Sequence, residues 1–513
     1  MMEKAKTNLP NLWESVKLGT FVENEKGKKP KRQSTYKTQE FALPYVDIEA
    51  FEAGNIKSWT DGDGCRLCYE SDFLMVWDGS RSGLVGKGMK GALGSTLVRI
   101  NFPGMHNKYA YYFLLSKYQG INTRAKGSGT PHVDPDLLWN YDFPIPPLNE
   151  QTRIVAKIEK LFSELDNGIA SLKTAREQLK VYRQAVLKHA FEGKLTAKWR
   201  EENVDKLETP EQLLARIQQE RDTRYQQQLE EWKTTFKEWE EKGKKGKKPG
   251  KVKKFETQGE LGQDSMISLE LPSSWVPICI GHIFSVYVGA TPSRKESSYW
   301  NGDINWVSSG EVAFCEIHTT VERITQSGLE NTSTELHPEG TVLLAMIGEG
   351  KTRGQAAILR VPAAHNQNTA AIRVSEVNLS SEYLYYFLLY QYEQTRRVGS
   401  GNNQKALNKQ RVSSIQFPLC PMDEQTEVAA RLAEQLSVIE NINREITDTL
   451  SRSKTLRQSI LKKAFSGKLV SQESNDEPAS ELLARIRAEK EQQKQPTNKS
   501  AIKRSRKKVR SEA

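Results

Sequence analysis

FPIPPLNEQTRIVAKIEKLF, opening at Phe143, returns as FPLCPMDEQTEVAARLAEQL, opening at Phe417. The offset of 274 carries on without a gap: RQAVLKHAFEGKL from Arg183 lands on RQSILKKAFSGKL from Arg457. Upstream, YYFLL at Tyr111 recurs at Tyr385, and LPNLW at Leu9 recurs as LPSSW at Leu271. Downstream, LLARI at Leu213 recurs at Leu482 after a short deletion. Self-similarity on this scale decides the architecture before any local motif does. The chain is two copies of one plan, each a divergent half followed by a similar half. A duplicated scaffold with two divergent surfaces suits a protein that reads two different things.

The similar halves read as long helices. Ile158, Leu165, Leu172, Leu179 and Val186 recur every seven residues, beside a second series through Ile154, Leu161, Gly168, Ala175 and Tyr182. This is the a/d pattern of a coiled coil. The second copy repeats it through Leu432, Ile439, Ile446, Ser453 and Ile460, beside Val428, Gln435, Ile442, Thr449 and Leu456, with a more polar seam. Acid near the start and Gly193 or Gly467 at the end punctuate helices of about 40 residues, or rods of roughly 60 Å. The seams serve either as plain cores or as a spacer in which two rods pack together.

The divergent halves contain short runs rich in β-branched and aromatic residues, such as DFLMVWDGS, INWVSSGEV and GTVLLAMIG, separated by glycine and polar turns. They read as strands of mixed α/β domains. The expected organisation is a first domain over 1–148, a helical region over 149–241, and a flexible basic linker over 242–264. A second domain over 265–420, a second helical region over 421–492 and a basic disordered tail over 493–513 follow.

With 513 residues, a prior of roughly three to four units holds and a single small binding module is excluded. A net charge of +11 and a pI near 9.1 favour a polyanionic partner. A mean hydropathy of −0.65, no long apolar run and no secretory signal predict a soluble, cytoplasmic protein. Five cysteines, an odd and sparse set, fit a reducing compartment. Two catalytic decoys stand out. AMIGEGKT, Ala345 to Thr352, fits a permissive P-loop pattern after an apolar strand, yet a helix must begin at the lysine. The stretch that follows, TRGQAAILRVP, carries glycine, alternation and proline instead. Cys65 and Cys68 form a lone C-x-x-C without further ligands at zinc spacing. Neither a dinucleotide fingerprint nor an Asn-Pro-Pro-aromatic tetrapeptide is present. The chain reads as non-catalytic, with no metal.

Two divergent domains, each closed by F-P-[IL]-x-P-[LM]-[ND]-E-Q-T and a helix ending in R-Q-[AS]-[VI]-L-K-[HK]-A-F-x-G-K-L, resemble the specificity subunit of type I restriction-modification enzymes. The likeness covers nearly the whole chain; the charged insertion after Leu195 and the basic tail depart from it. The resemblance implies an α/β fold: two mixed α/β target recognition domains separated by long antiparallel coiled-coil helices, with a pseudo-twofold internal repeat. It implies that each domain reads half of a split, asymmetric site in double-stranded DNA, with the helices setting the spacer. It also implies two modification subunits that bind S-adenosylmethionine and methylate adenine at N6, and restriction subunits that use ATP and Mg. None of those cofactors is expected in this chain. The alternatives are a coiled-coil DNA-bridging or scaffold protein without sequence specificity, and a stand-alone ATP-driven DNA enzyme.

Arg and Lys read guanine, and Asn and Gln read adenine, at base edges in the major groove. Candidate readers therefore sit in polar, glycine-bearing loops. In the first domain they are Arg81, Lys87, Lys90, Thr123, Arg124, Lys126 and Ser128. In the second they are Lys351, Arg353, Asn366, Gln367 and Asn368, then Ser400, Asn402, Asn403, Gln404 and Lys405. The GSGT and GSGN loops recur at matching places.

Overall fold

The structure is a computed structural model that describes residues 9–127, 129–245, 248–259, 270–348, 350–397 and 407–494; the elements below are those of these residues. Ser128, the stretch holding Ser400 to Lys405, residues 246–247 and 260–264 of the expected linker and 495–513 of the tail lie outside them. The chain divides into two units, one of residues 1–173 with 446–513, the other of residues 174–445.

In the first unit the strands run β1 (Glu14–Lys17), β2 (Glu23–Lys26), β3 (Gln33–Ser34), β4 (Leu43–Val46), β5 (Trp59–Thr60) and β6 (Leu67–Cys68). They continue as β7 (Phe73–Val76), β8 (Val85–Lys87), β9 (Gly91–Leu93), β10 (Leu97–Asn101) and β11 (Asp142–Ile145). The helices are α1 (Ile48–Ala53), α2 (Asn107–Asn122), α3 (Pro135–Trp139) and the start of α4 (Leu148–Phe191). One sheet has the order β2-β10-β7-β8, the other β3-β5-β4-β9-β6, and β1 pairs with β11. All four residues of β7, FLMV, are buried. A continuous apolar run, unlike an alternating one, marks a strand covered on both faces.

After α5 (Ala197–Glu202) and α6 (Pro210–Glu241), the second unit carries β12 (Val276–Cys279), β13 (Ser285–Val288), β14 (Trp300–Val307), β15 (Cys315–Ile317) and β16 (Glu322–Ile324). Then come β17 (Val342–Ala345), β18 (Ala356–Leu359), β19 (Ala363–His365), β20 (Thr369–Arg373) and β21 (Gln416–Leu419). Its helices are α7 (Ile280–Ile283), α8 (Gln326–Glu330), α9 (Ser381–Arg397), α10 (Lys409–Ser413) and the start of α11 (Met422–Ala464); α12 (Ala479–Lys494) returns to the first unit. The sheets are β13-β20-β17-β18-β15 and β16-β14-β19, and β12 pairs with β21. Parallel pairs β4–β9, β14–β19 and β15–β18 make both domains mixed rather than antiparallel.

The repeated motif acts as a buried clamp. Glu150 and Gln151, and Glu424 and Gln425, are fully buried at the first turns of α4 and α11. Each glutamate accepts an indole N–H from the domain's opening tryptophan: Trp13 at 2.9 Å and Trp275 at 2.8 Å. Each glutamine amide donates to a carbonyl of the preceding loop, of Pro146 at 3.0 Å or Cys420 at 2.7 Å. Its oxygen accepts from the backbone at the start of the domain's main helix, from His106 or Ser380. Tyr109 and Tyr383 hydroxyls donate to the Pro144 and Pro418 carbonyls, both at 2.8 Å. Buried polar groups this well satisfied specify one geometry.

Each copy's closing motif completes the other copy's domain. Ile460, Leu461, Ala464, Ala479, Leu482, Leu483 and Ile486 join the core of the first domain. Val186, Leu187, Ala190, Phe191, Leu213 and Ile217 join that of the second. Gln472 donates to Glu150 at 2.6 Å, whereas Thr196 and Arg200 donate to Glu424, both at 2.8 Å. Gly467 (φ 68°) and Gly193 (φ 69°) turn the chain in the left-handed region, and a Cβ on either would stand 2.4 Å from Cγ of Pro10 or Pro272. Glycine is required on both counts. Within each unit the helix leaving the domain and the helix entering it run antiparallel: Arg457 pairs with Asp166, and Arg431 donates to the Leu195 carbonyl.

The seam is narrower than the heptads predict. Ile158, Val186, Leu432, Ile439, Ile446 and Ile460 are buried and Leu165, Leu172 and Leu179 half-buried. In the companion series Ile154 and Val428, next to the domains, are buried, whereas farther along Gly168, Ala175, Tyr182, Ile442 and Leu456 are exposed, so there only one row of the heptads is covered.

The basic stretch after α6, expected to be a flexible linker, is instead held in its described part. Trp232 donates to the Pro249 carbonyl at 3.3 Å, Lys254 pairs with Asp222 at 3.2 Å, and the Arg221 guanidinium covers the Phe255 ring at 3.7 Å. Composition counts lysines and glycines; it does not register a helix face placed to receive them.

Candidate nucleic-acid interface

One loop arrangement appears in both domains. In the first, the Trp77 backbone donates to Thr96 at 2.8 Å and accepts from Val133 at 2.9 Å. In the second, the Met346 backbone donates to Asn368 at 2.8 Å and accepts from Leu407 at 3.1 Å. Each set ties together the hairpin turn after β7 or β17, the turn before β10 or β20, and the segment after α2 or α9.

In the first domain this gathers Arg81 with Thr123, Arg124 and Lys126. Asn122 donates to the Ser80 and Ser82 carbonyls, both at 3.0 Å, and Gly79 N–H donates to Pro131. Arg81 is exposed and pairs with Glu52; Lys126 pairs with Asp134 at 3.0 Å, which raises its ammonium pKa. Thr123 donates its hydroxyl back to Gln119 and is exposed, as is Arg124. Lys87 and Lys90 are exposed but lie apart: Lys87 pairs with Phe73, at the opposite end of the β7–β8 hairpin from Arg81. A groove of about 580 Å³ beside Arg81 is lined by Asp47, Glu49, Glu52, Gly79, Ser80 and Thr96. Sequence reading missed it, because its acids sit on and before α1, far from any glycine-rich loop.

In the second domain Lys351 is exposed, and its carbonyl accepts from the Tyr392 hydroxyl at 2.6 Å. Arg353 donates to the Arg396 carbonyl at 3.1 Å, so it braces the turn against α9. The residues after Lys351 turn back into β18 rather than starting a helix, so the described residues of AMIGEGKT after Ala345 lie between the two paired strands β17 and β18. Gln367 is exposed and joined to Thr291 at 2.6 Å; Asn368 is half-buried. Asn366 corrects the expectation of a base reader. It is buried, and its side-chain oxygen accepts from Asn368 N–H at 3.1 Å and the Thr369 hydroxyl at 2.9 Å. It shapes the turn instead of facing outward.

Beneath that turn lies a buried relay. Arg373 Nε donates to His337 Nδ1 at 3.0 Å, the two histidine Nε2 atoms are 3.1 Å apart, and His365 Nδ1 is 3.1 Å from the Asn366 carbonyl. The arginine donor leaves His337 its Nε2 proton, which makes His365 Nε2 an acceptor and its Nδ1–H the donor to Asn366. Burial, with the neighbouring His365 and Arg373, pushes His337 far down, and burial holds His365 at about 4, so both stay neutral. Arg294, also missed, stacks on Trp300 at 3.8 Å and is forked onto Glu322. Its signal was the polar turn TPSRK ahead of a tryptophan.

Cys68 is buried, with its thiol on the Gly91 carbonyl and its pKa pushed up to about 12 by burial; Cys65 bonds the Asp63 carbonyl in the adjacent turn. Among the described residues no helix is long and apolar enough to cross a membrane.

Residues 10–175 and 272–452 match the family described as the Type I restriction modification DNA specificity domain. The chain is 23% identical over 466 residues to the type I restriction enzyme MjaVIII specificity subunit of Methanocaldococcus jannaschii, covering 88% of this chain and 92% of that one. It is 22% identical over 494 residues to the EcoDI specificity subunit of Escherichia coli, covering 94% and 96%. Among solved structures, a chain from a study of assembly and conformational transition of the type I R-M system aligns with a TM-score of 0.60 at 18% identity, over 90% of this chain and 99% of that one. The HsdS subunit from Thermoanaerobacter tengcongensis aligns with a TM-score of 0.51 at 18% identity, over 91% and 100%.

Proposed function

The chain belongs to the type I restriction-modification DNA specificity family, and from that premise we propose that it is the non-catalytic subunit through which such a complex recognises its DNA sequence. The observation that carries this reading is the pair of equivalent loop clusters: the same backbone bonds hold unlike side chains in the two domains. A fixed frame with variable contents is what two unlike half-sites demand. Arg81, Arg124 and Lys126 on one side, and Lys351 and Gln367 on the other, are the described candidates for base-edge and phosphate contacts. Arg353 and Asn366 act by holding turns. A scaffold without specificity has no use for two divergent loop sets on one frame.

The finer assignments belong to the same proposal. Two modification subunits carry S-adenosylmethionine, and restriction subunits carry ATP and Mg. The antiparallel helices set the spacing between half-sites and dock the modification subunits, and the complex works in the cytoplasm. The test is a domain exchange that respects the clamp. Residues 18–141 are replaced by those of a relative, keeping Trp13, Glu150 and the closing motifs, and N6-methyladenine is mapped across the host genome. The expected result is one half-site changed, with the other half and the spacer retained. Change in both halves would overturn the reading.

A further inference from the structure

Helix α6 and the segment returning along it form an arm that the recognition frame does not use. Residues 242–254 carry eight lysines and no acid, against a net charge of +11 for the whole chain. Along the return, Pro249, Val252 and Phe255 are half-buried, whereas Lys248, Lys251, Lys253 and Lys254 are exposed. Burial every third residue is the period of a polyproline-type extended chain. The inner edge meets an aromatic ladder on α6, Trp232, Phe236 and Trp239, whose ring centroids are 5.2 and 5.7 Å apart in succession. Trp232 holds the Pro249 carbonyl and Lys248 lies 5.6 Å from the Phe236 ring. At its far end Gln258 N–H donates to the Gly281 carbonyl at 2.9 Å, anchoring the segment to the second domain.

The acids of α6 engage only part of this charge. Lys242 pairs with Glu238, Lys244 with Glu240 and Lys254 with Asp222. Lys245, Lys251 and Lys253 are exposed with no acid in ion-pair range among the described residues. Lys251 and Lys253 on a held extended segment with its apolar side turned inward, and Lys245 just beyond the end of α6, offer strongly hydrated point charges without a hydrophobic anchor. That chemistry suits the dense phosphates of duplex DNA; a bilayer would ask for exposed apolar residues.

We propose that this arm is a second, sequence-independent contact to duplex DNA, made through phosphates by Lys245, Lys251 and Lys253. It rests on the DNA-recognition reading for its partner alone, and leaves half-site choice to the loop clusters. Counterion release gives a slope of log K against log salt of about −0.9 per neutralised phosphate. Three lysines lost should therefore make the slope less negative by about 2.7.

The experiment compares the assembled complex carrying Lys245→Gln/Lys251→Gln/Lys253→Gln with its parent, using fluorescence anisotropy on cognate and unrelated duplexes from 50 to 200 mM salt. The expected result is the reduced slope, affinity lost by the same factor on both duplexes, and an unchanged methylome. A slope equal to the parent's overturns the proposal. So does loss of modification subunit on size exclusion with the slope retained, which would make the arm a protein-docking surface. A cognate-to-unrelated ratio near one in the parent would instead sink the recognition reading, leaving the arm to be judged by its slope.

Discussion

The first recognition domain opens an acidic groove beside its central turn at Ser95 and Thr96, whereas the second packs two neutral histidines beneath the matching turn at Gln367 and Asn368. Around these unlike contents the same indole, glutamine and tyrosine bonds recur at nearly equal lengths. The lesson is a division of labour: positions that bond across the domain's own backbone keep their chemistry, and positions that face outward or support a loop are released from it.

The largest expected effect comes from breaking the clamp, which should also expose an asymmetry. Glu424 accepts from Trp275, Thr196 and Arg200, while the side chains donating to Glu150 among the described residues are Trp13 and Gln472. Glu424→Ala leaves a mostly buried guanidinium unpaired and should cost about 3–5 kcal/mol. Glu150→Ala strands neutral donors and should cost about 1–3 kcal/mol. Urea unfolding followed by hydrogen exchange in each unit checks both; equal losses would show that Arg200 contributes nothing to the difference.

Acidification sharpens the comparison at the next scale. His337 and His365 stay neutral when folded but titrate near the ordinary value of 6.5 when unfolded. Unfolding therefore takes up protons once the pH drops below about 6.5. The stabilisation is complete above that pH and is lost as pH falls toward 4, by roughly 1.4 kcal/mol per pH unit for each histidine. In the first unit His106 is shifted the same way by burial, but it is one group and less enclosed. Calorimetry at pH 7 and pH 5 should thus lower the second unit's transition more than the first's. A parallel decline would mean that the relay is not what separates them.

The smallest effect concerns the rods. Gly168 sits mid-helix with nothing within 4 Å of a built Cβ, while the matching position of the other copy is Ile442. Gly168→Ala should stabilise the first unit by about 1 kcal/mol through backbone entropy. A thermal melt that fell instead would reveal a packing need for glycine there.

Much of this was legible in one dimension. The 274-residue offset, the heptads and the buried runs FLMV and VLLA are local or periodic signals, and they report secondary structure because side-chain direction follows backbone period. The polar turns at Arg81 and Lys351, after strands, and at Arg124, after a helix, were legible for the same reason, since glycine-bearing polar stretches punctuate the ends of elements. Asn366 was not: its amide resembles a reader's, and only the fold turns it inward onto Thr369.

By itself, then, the sequence determined two copies of one plan, long helices, mixed domains and a family. Tertiary structure alone decided that Gly467 meets Pro10 and Gly193 meets Pro272, so that each closing motif finishes the other copy's domain. It decided which heptad row is covered, which loops share a cluster, and that a lysine-rich stretch lies along an aromatic ladder. These are contacts between residues distant in the chain, chosen by the free energy of burying apolar area and satisfying buried polar groups together. That choice has no period and leaves no local trace.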